Sequence, residues 1–152
     1  MNKIFKVGDK LLLPSLKIVF TNGCFDVLHP GHLQYLKKAH NLGEILVVGL
    51  NSDKSIRRIK GKDRPINNFE FRSSMLSYFQ FIDFIVEFDE DTPIDLIRRV
   101  RPNVLVKGSD YQNKEVIGSD LVKESGGEVV FLDYLEGYSS TSVINRILNS
   151  KL

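Results

Sequence analysis

The chain predicts an open α/β fold, a doubly wound parallel sheet with helices on both faces within a single domain (residues 1–152), on three observations. Its 152 residues are one domain's worth of sequence. Short apolar runs recur at regular intervals, and they are continuous rather than alternating, the pattern of strands covered on both faces. Segments with helical periodicity and recognisable ends lie between them, and alternation of strand and helix implies βαβ units. The composition agrees, since 42% apolar and 26% charged residues exclude a disordered or fibrous chain. Lys plus Arg number 21 against 19 acidic residues, a smaller excess than a nucleic-acid-binding protein usually carries. No apolar run approaches the roughly 20 residues that span a bilayer, so no membrane partner is expected. Leu11-Leu12-Leu13, followed by Pro14 and Lys17, is too short for the core of a signal peptide. Cys24 is the single cysteine, which excludes an internal disulfide framework and fits a reducing, cytoplasmic setting.

Residues 1–16 form an N-terminal extension to which the sequence assigns no role. The first strand is expected at Ile18-Val19-Phe20. A helix follows from His29-Pro30-Gly31-His32: proline suits the first turn, Leu33, Leu36 and Ala39 recur at three-residue spacing, and Gly43 suits the stop. The second strand runs from Ile45 to Leu50. Asn67 with Glu70 predicts a capping pair ahead of a helix over Phe69 to Phe79. Phe84-Ile85-Val86 is the third strand. Thr92-Pro93 with Asp95 opens a helix that must end before Pro102. Val104-Leu105-Val106 is the fourth strand, and Ser119 to Ser125 a short helix closed by Gly126-Gly127. Val129 to Leu132 is the fifth strand and Val143 to Leu148 the last helix. Ligands of such sheets bind beyond the carboxyl ends of the strands, near the point where strand order reverses. Chemistry is therefore expected after Phe20, Leu50, Val106 and Leu132.

After Phe20 comes Thr21-Asn22-Gly23-Cys24-Phe25-Asp26-Val27-Leu28-His29-Pro30-Gly31-His32. Gly23 lets the backbone turn off the strand and a ligand approach it. The helix beginning near His29 turns its free N–H groups and positive dipole end toward the same crevice, a seat for an anion. His29 and His32, three apart, share one face of the first turn, and Gly31 leaves room between them. Two donors converging on phosphate oxygens suit phosphoryl or nucleotidyl transfer. The bland alternatives are a surface pair of histidines or part of a metal site, for which Cys24 and Asp26 are the only near candidates. Cys24 has no base partner besides the histidines and reads as a small packing residue beside the ligand. His40 lies outside the site.

After Leu50, Lys54, Arg57, Arg58, Lys60, Lys62 and Arg64 place six cations in eleven residues. They read as a solvated basic loop, or, with Gly61 and Pro65, as a mobile loop that closes over a triphosphate. Arg57, Arg58 and Lys62 are expected to be solvated. Lys107-Gly108-Ser109-Asp110-Tyr111 reads as a turn or a ligand loop, with Tyr111 free to pack. Ser139-Ser140-Thr141-Ser142 reads first as a set of helix caps.

Gly23-x-Phe25-Asp26 with His29-x-Gly31-His32 resembles the fingerprint of the nucleotidyltransferase superfamily, which joins a nucleoside triphosphate to a phosphorylated small molecule and releases pyrophosphate. Asn51-Ser52-Asp53, Lys60-Gly61, Arg64-Pro65, Arg72, Asp91-Thr92-Pro93, Val106 to Tyr111 and Gly126 to Val129 extend the resemblance from Lys17 to Leu148, and toward the D-glycero-D-manno-heptose 1-phosphate adenylyltransferase branch. The resemblance implies a Rossmann-like nucleotidyltransferase fold and transfer of AMP from ATP to that sugar phosphate, giving ADP-heptose. With no kinase domain in the chain, a stand-alone transferase is expected. His29, His32, Lys60 and Arg72 would be catalytic. Asn22, Gly23, Cys24, Phe25, Gly31, Lys107, Gly108 and Asp110 would line the nucleotide with both histidines, and Ser139, Ser140 and Thr141 would hold its phosphates. Asp26, Asn51, Lys60 and Arg64 would meet the acceptor. Ser140 stands where similar enzymes commonly have threonine, and Tyr138 where the branch has a smaller residue.

The acceptor phosphate is ionised at neutral pH, so catalysis is expected to rest on positioning and charge stabilisation. Mg²⁺ is expected to travel with the nucleotide on its oxygens and on water, with no resident metal site. The alternatives within the superfamily are a glycerol 3-phosphate cytidylyltransferase and a phosphopantetheine adenylyltransferase; a non-catalytic nucleotide sensor is the alternative outside enzymes. The resemblance also implies a homodimer, for which Phe79 to Phe88 would supply an apolar interface; a buried strand accounts for the same residues.

Overall fold

The computed structural model describes residues 2–151. Six parallel strands form one sheet in the order β1-β4-β3-β2-β5-β6, comprising β1 (Ile4–Phe5), β2 (Ile18–Gly23), β3 (Ile45–Asn51), β4 (Phe84–Phe88), β5 (Val104–Gly108) and β6 (Glu128–Leu132). Six α-helices connect and flank them: α1 (Pro30–His40), α2 (Asp53–Lys60), α3 (Phe69–Ser77), α4 (Ile94–Val100), α5 (Ser119–Glu124) and α6 (Ser140–Asn149). Continuous apolar strands are explained by two cores, one on each face. Val19, Leu46, Val48, Leu50 and Ile85 pack with Tyr35, Leu36 and Ala39 of α1 and Phe69 and Leu76 of α3. Phe20, Val47, Val86 and Leu105 point the other way, onto Leu96, Ile97 and Val100 of α4 and Val122 of α5. Burying one such side chain fully is worth about 1.5–3 kcal/mol.

All five strands expected from the sequence are present, and four features differ from expectation. Ile4–Phe5 adds an edge strand beside β4, and Leu11 and Leu13 pack against the second core, so the N-terminal segment is part of the sheet. The basic stretch is no loop over most of its length: Asp53–Lys60 is helical, capped by the Ser52 hydroxyl, which accepts from the Ser55 amide at 3.0 Å. Asp53 in its first turn and Arg57, Arg58 and Lys60 in its last complement the helix dipole. The cap of α3 is Asn68, whose side chain accepts from the Phe71 amide at 2.9 Å, and not Asn67. Helix α6 starts at Ser140, ahead of Val143, behind a Ser139–Ser142 capping box. Phe84 and Phe88 are buried in β4, and Phe79 and Phe81 stack on each other at 5.6 Å against the first core, so packing accounts for that apolar region.

Strand order reverses between β2 and β5. Their ladder pairs Val19 with Val104 and Phe20 with Leu105, and the two strands part beyond those residues. Parting leaves buried backbone to be satisfied. The Thr21 and Tyr35 hydroxyls meet at 2.9 Å and reach the Val106 carbonyl at 3.1 and 3.3 Å. A side-chain pair thus replaces the missing ladder bond and holds the crevice open. Thr21→Val and Tyr35→Phe are each expected to cost about 1 kcal/mol, and the double variant more than the sum, because only then does the carbonyl lose both partners. Denaturant unfolding of the four proteins measures this, and strict additivity would show that the hydroxyls act independently.

Candidate active site

The loop from β2 to α1 turns sharply at Phe25, whose φ of 45° is a left-handed conformation that costs a side chain roughly 1–2 kcal/mol. The turn drives Asp26 inward, where it is only 3% exposed. Its carboxylate accepts from the Ile66 and Asn67 amides, each at 2.8 Å, and from Arg64 Nε at 2.7 Å, while the Asn67 side chain donates to the Asp26 carbonyl at 2.8 Å. Burial opposes the charged form, but those two amides and Arg64 outweigh it and hold the carboxyl below the usual range. Arg72 from α3 lies below the same loop, 1% exposed. It donates to the carbonyls of Cys24 (2.7 Å), Asn51 (2.9 Å) and Asn67 (3.0 Å) and to the Asp53 carboxylate (2.8 Å). Asp26 and Arg72, expected to meet ligands, are buried beneath this loop, where both carboxylate oxygens of Asp26 and all three guanidinium nitrogens of Arg72 bond to protein.

His29 caps α1 with extended backbone and makes no side-chain cap bond, Pro30 behind it has no N–H, and the His32 amide turns back to the His29 carbonyl at 3.0 Å. The His29 and His32 rings stack at 3.7 Å, and His32 meets the edge of Phe25 at 5.3 Å. Burial lowers the pKa of His29, and burial with the neighbouring His29 and Lys60 lowers that of His32 to about 4. Both imidazoles are therefore neutral at pH 7. Among the described residues, four buried side-chain nitrogens lack a hydrogen-bond partner, and three of them, His29 Nδ1, His32 Nδ1 and Arg64 Nη2, surround this loop. Gly31 is needed for a reason the sequence did not show: a Cβ there would stand 2.9 Å from the His29 ring and 3.4 Å from Tyr138. At Gly23 a Cβ would press on the Phe25 ring at 2.9 Å.

Beside the histidines, a cleft of ≈ 460 Å³ opens over the carboxyl ends of β2, β3, β4 and β5. Asn22, Gly23, Cys24, Asn51, Lys60, Lys107 and Gly108 line it, together with Asp91, Thr92 and Pro93 of the β4–α4 turn and three tyrosines, Tyr35, Tyr111 and Tyr134. Lys107 Nζ bridges the parted strands to Asn22 Oδ1 at 2.5 Å, and burial, opposed by Asp110, lowers its pKa to about 8. Burial raises the pKa of the Cys24 thiol, so it is protonated at pH 7 and no nucleophile, in keeping with a packing role. Arg58 is exposed, as expected, and at the surface it ties α2 to the β4–α4 turn through Asp91 at 3.0 Å and the Asp89 carbonyl. Asp110 lies in a short 3₁₀ turn at the end of β5. At the histidine end, Ser139 is the N-cap of α6, the Ser140 hydroxyl donates to the Val27 carbonyl at 3.0 Å, and Thr141 is exposed beside them. The start of α6 is thereby fastened to the fingerprint loop.

Lys60 and Lys107 thus line one cleft with Gly23 and Cys24 of the fingerprint loop, the histidines and Arg64 belong to the same loop's surroundings, and Asp26 and Arg72 are buried beneath it. The sequence analysis gave Tyr35 and Tyr134, which line the cleft, no part in it.

Asp26→Asn is expected to lower stability at pH 7 by about 3 kcal/mol, because the amide cannot accept from all three donors. The carboxyl is held below its ordinary value, so its contribution is complete above that value, about 3.9, and is lost as pH falls through the lower folded value. Denaturant unfolding should therefore show the gap between variant and wild type narrowing from pH 7 to pH 3. A gap that stays constant or widens in acid would contradict the assignment.

Residues 20–146 match the model of the cytidylyltransferase-like family. The bifunctional protein HldE of Wolinella succinogenes is 57% identical over 149 residues, which are 98% of this chain and 31% of that protein. Its counterpart from Campylobacter concisus is 56% identical over 135 residues, 89% of this chain and 28% of the relative. The chain thus spans less than a third of these relatives' length. The crystal structure of a lipopolysaccharide core biosynthesis protein from Thermoplasma volcanium superposes with a TM-score of 0.67 at 27% identity, covering 80% of this chain and 100% of that one. A pantoate-beta-alanine ligase from Francisella tularensis shares the fold at 18% identity, with a TM-score of 0.55 over 92% of this chain and 74% of that one. No helix among the described residues is long and apolar enough to cross a membrane. Taken with the parallel sheet and the paired histidines at the start of α1, the match over residues 20–146 shows that the chain belongs to the cytidylyltransferase-like family, whose enzymes are nucleotidyltransferases.

Proposed function

We propose that this chain transfers the adenylyl group of ATP to D-glycero-D-manno-heptose 1-phosphate, giving ADP-heptose and pyrophosphate. The observation that carries the reading is the anion seat: an uncapped α1 start, two stacked histidines with unpartnered Nδ1 atoms, and Lys60 near both His32 and Cys24. The heptose acceptor is supported by the sequence resemblance to that branch and by the likeness to the bifunctional HldE proteins. An oxygen of the sugar phosphate forms a bond to the α-phosphorus, the bond from that phosphorus to the β-bridging oxygen breaks, and its electron pair leaves on pyrophosphate. His29 and His32 stabilise the equatorial charge that develops. An arriving triphosphate favours their protonated forms, since a nearby anion opposes the effect of burial. Lys60 and the Arg64 Nη2 group left free by Asp26 meet phosphate oxygens, and Lys107 and Gly108 line the nucleoside. Arg72 and Asp26 position these groups from below.

Mg²⁺ enters as part of the substrate, on nucleotide oxygens and water. A homodimer belongs to the same proposal, tested by light scattering for twice the 17.3 kDa of the chain.

His29→Ala and His32→Ala are each expected to lower kcat by about 10²–10³ with circular dichroism unchanged, the usual loss for one preorganised donor. Near wild-type turnover in either variant would remove its catalytic role. Pyrophosphate release should require both ATP and the heptose 1-phosphate in a panel of nucleotides and phosphorylated acceptors. Faster turnover of CTP with glycerol 3-phosphate, or of ATP with phosphopantetheine, would overturn the acceptor.

A further inference from the structure

The connection from β6 to α6 crosses the site as a strap held at each end by an aromatic ring. Tyr134 stacks on Tyr35 with ring centroids 5.3 Å apart, and Tyr138 lies over His29 at 6.2 Å, nearly parallel to it. Between them Gly137 has a φ of 82°, a turn that only glycine makes without strain. The Tyr134 ring also rests on Gly108 at the end of β5, where a Cβ would overlap it. Glycine at this position is what admits the ring to the crevice.

Tyr134 differs from a packing residue in its exposure. Tyr35 beneath it is 5% exposed, whereas Tyr134 is 48% exposed and lines the cleft. It therefore offers the cleft an aromatic surface seated on a rigid partner, since Tyr35 is anchored through Thr21 and the Val106 carbonyl. The geometry points to Tyr134 as one wall of the nucleobase slot, a binding residue that stacks on the base of the incoming nucleotide. The inference rests on the adenylyl-transfer reading and extends it to the place of the base. Two features favour a base over the acceptor sugar. The ring stands at the β5 side of the crevice, with Gly108 and Lys107, on the far side of the strap from the histidines. Tyr138 is four positions beyond Tyr134, at most about 14 Å of chain, a reach that one nucleotide laid from base to phosphates can cover. Flat π surfaces suit bases of any kind, and a purine offers more area to stack than a pyrimidine.

Calorimetric titration of the whole chain with ATP, and separately with inorganic tripolyphosphate as a probe without a base, tests the assignment. Tyr134→Ala is expected to weaken ATP binding about 10-fold, within the range for one base–aromatic stack, and to leave tripolyphosphate binding unchanged. Tyr134→Phe should bind ATP as wild type does. Tyr134→Leu fills the same space without a π face and should behave like Tyr134→Ala, which keeps the test valid if the alanine variant folds poorly. In turnover, KM for ATP should rise while KM for the sugar phosphate stays constant. Undiminished ATP binding by the alanine and leucine variants, equal loss of tripolyphosphate binding, or a rise in the acceptor's KM alone would overturn the slot while leaving adenylyl transfer standing. A wild-type chain that binds tripolyphosphate but shows no preference for ATP over it would overturn both.

Discussion

The arrangement depends on one buried cation. Arg72 reaches from α3 under the sheet's carboxyl end and binds the carbonyls that close the β2 and β3 strands, together with the chain just ahead of its own helix. Cys24 and Asn67 lie outside the ladder and Asn51 is the last residue of β3, so these carbonyls need partners that the sheet does not supply. A guanidinium is suited to this, because its rigid fork of donors can serve several acceptors at once. Its charge is balanced by Asp53 at 2.8 Å, and the opposite charge of Asp26 is balanced by Arg64 at 2.7 Å. Removing one partner from such a pair leaves an uncompensated buried charge, which is far more destabilising than the pair is stabilising. The fingerprint loop therefore owes its shape to a polar network beneath it, and that shape brings the two histidines together.

Above this network stand the two stacked histidines and Lys107. Burial keeps both imidazoles neutral while the crevice is empty, and Lys107 is held near the edge of its charged range. A triphosphate reverses the balance, because the charged forms that burial penalises are those a phosphate favours. Stacking holds the two rings together, Asn22 holds Lys107 and Asp26 holds Arg64. Preorganised donors of this kind contribute more to transfer chemistry than strength of attraction does.

Much of the fold was legible in the sequence, because a strand buried on both faces writes itself as a continuous apolar run, and Val19-Phe20, Ile45 to Leu50 and Val104 to Val106 do so. Pro30 marked the α1 start. Helix α2 was hidden because of its eight residues only Ser55 and Ile56 are buried, so charge masked its period. Ile4–Phe5 is too short for any periodicity, and only its neighbour β4 makes it a strand. Asn67 and Asn68 are equally good caps on paper, and the choice between them was made by Asp26, whose carbonyl takes the Asn67 side chain. Asp26 and Arg72 read in sequence as ligand-facing, and in the structure their polar atoms bond to protein. A charged residue near a ligand loop has the same appearance in sequence whether it faces phosphate or protein, and only the three donors around Asp26 and the four acceptors around Arg72 distinguish the two. Tyr134 carried no signal at all, since its significance lies in resting on Gly108, 26 residues earlier, from the neighbouring strand's end.

The central claim is that the bond broken is the one between the α-phosphorus and pyrophosphate. Incubating the chain and heptose 1-phosphate with ATP labelled at either the α- or the γ-phosphorus, and separating the products, tests it directly. Label from the α position should appear in the sugar nucleotide, and label from the γ position only in pyrophosphate. Label from the γ position in the sugar product would mean phosphoryl rather than nucleotidyl transfer, and would contradict the account.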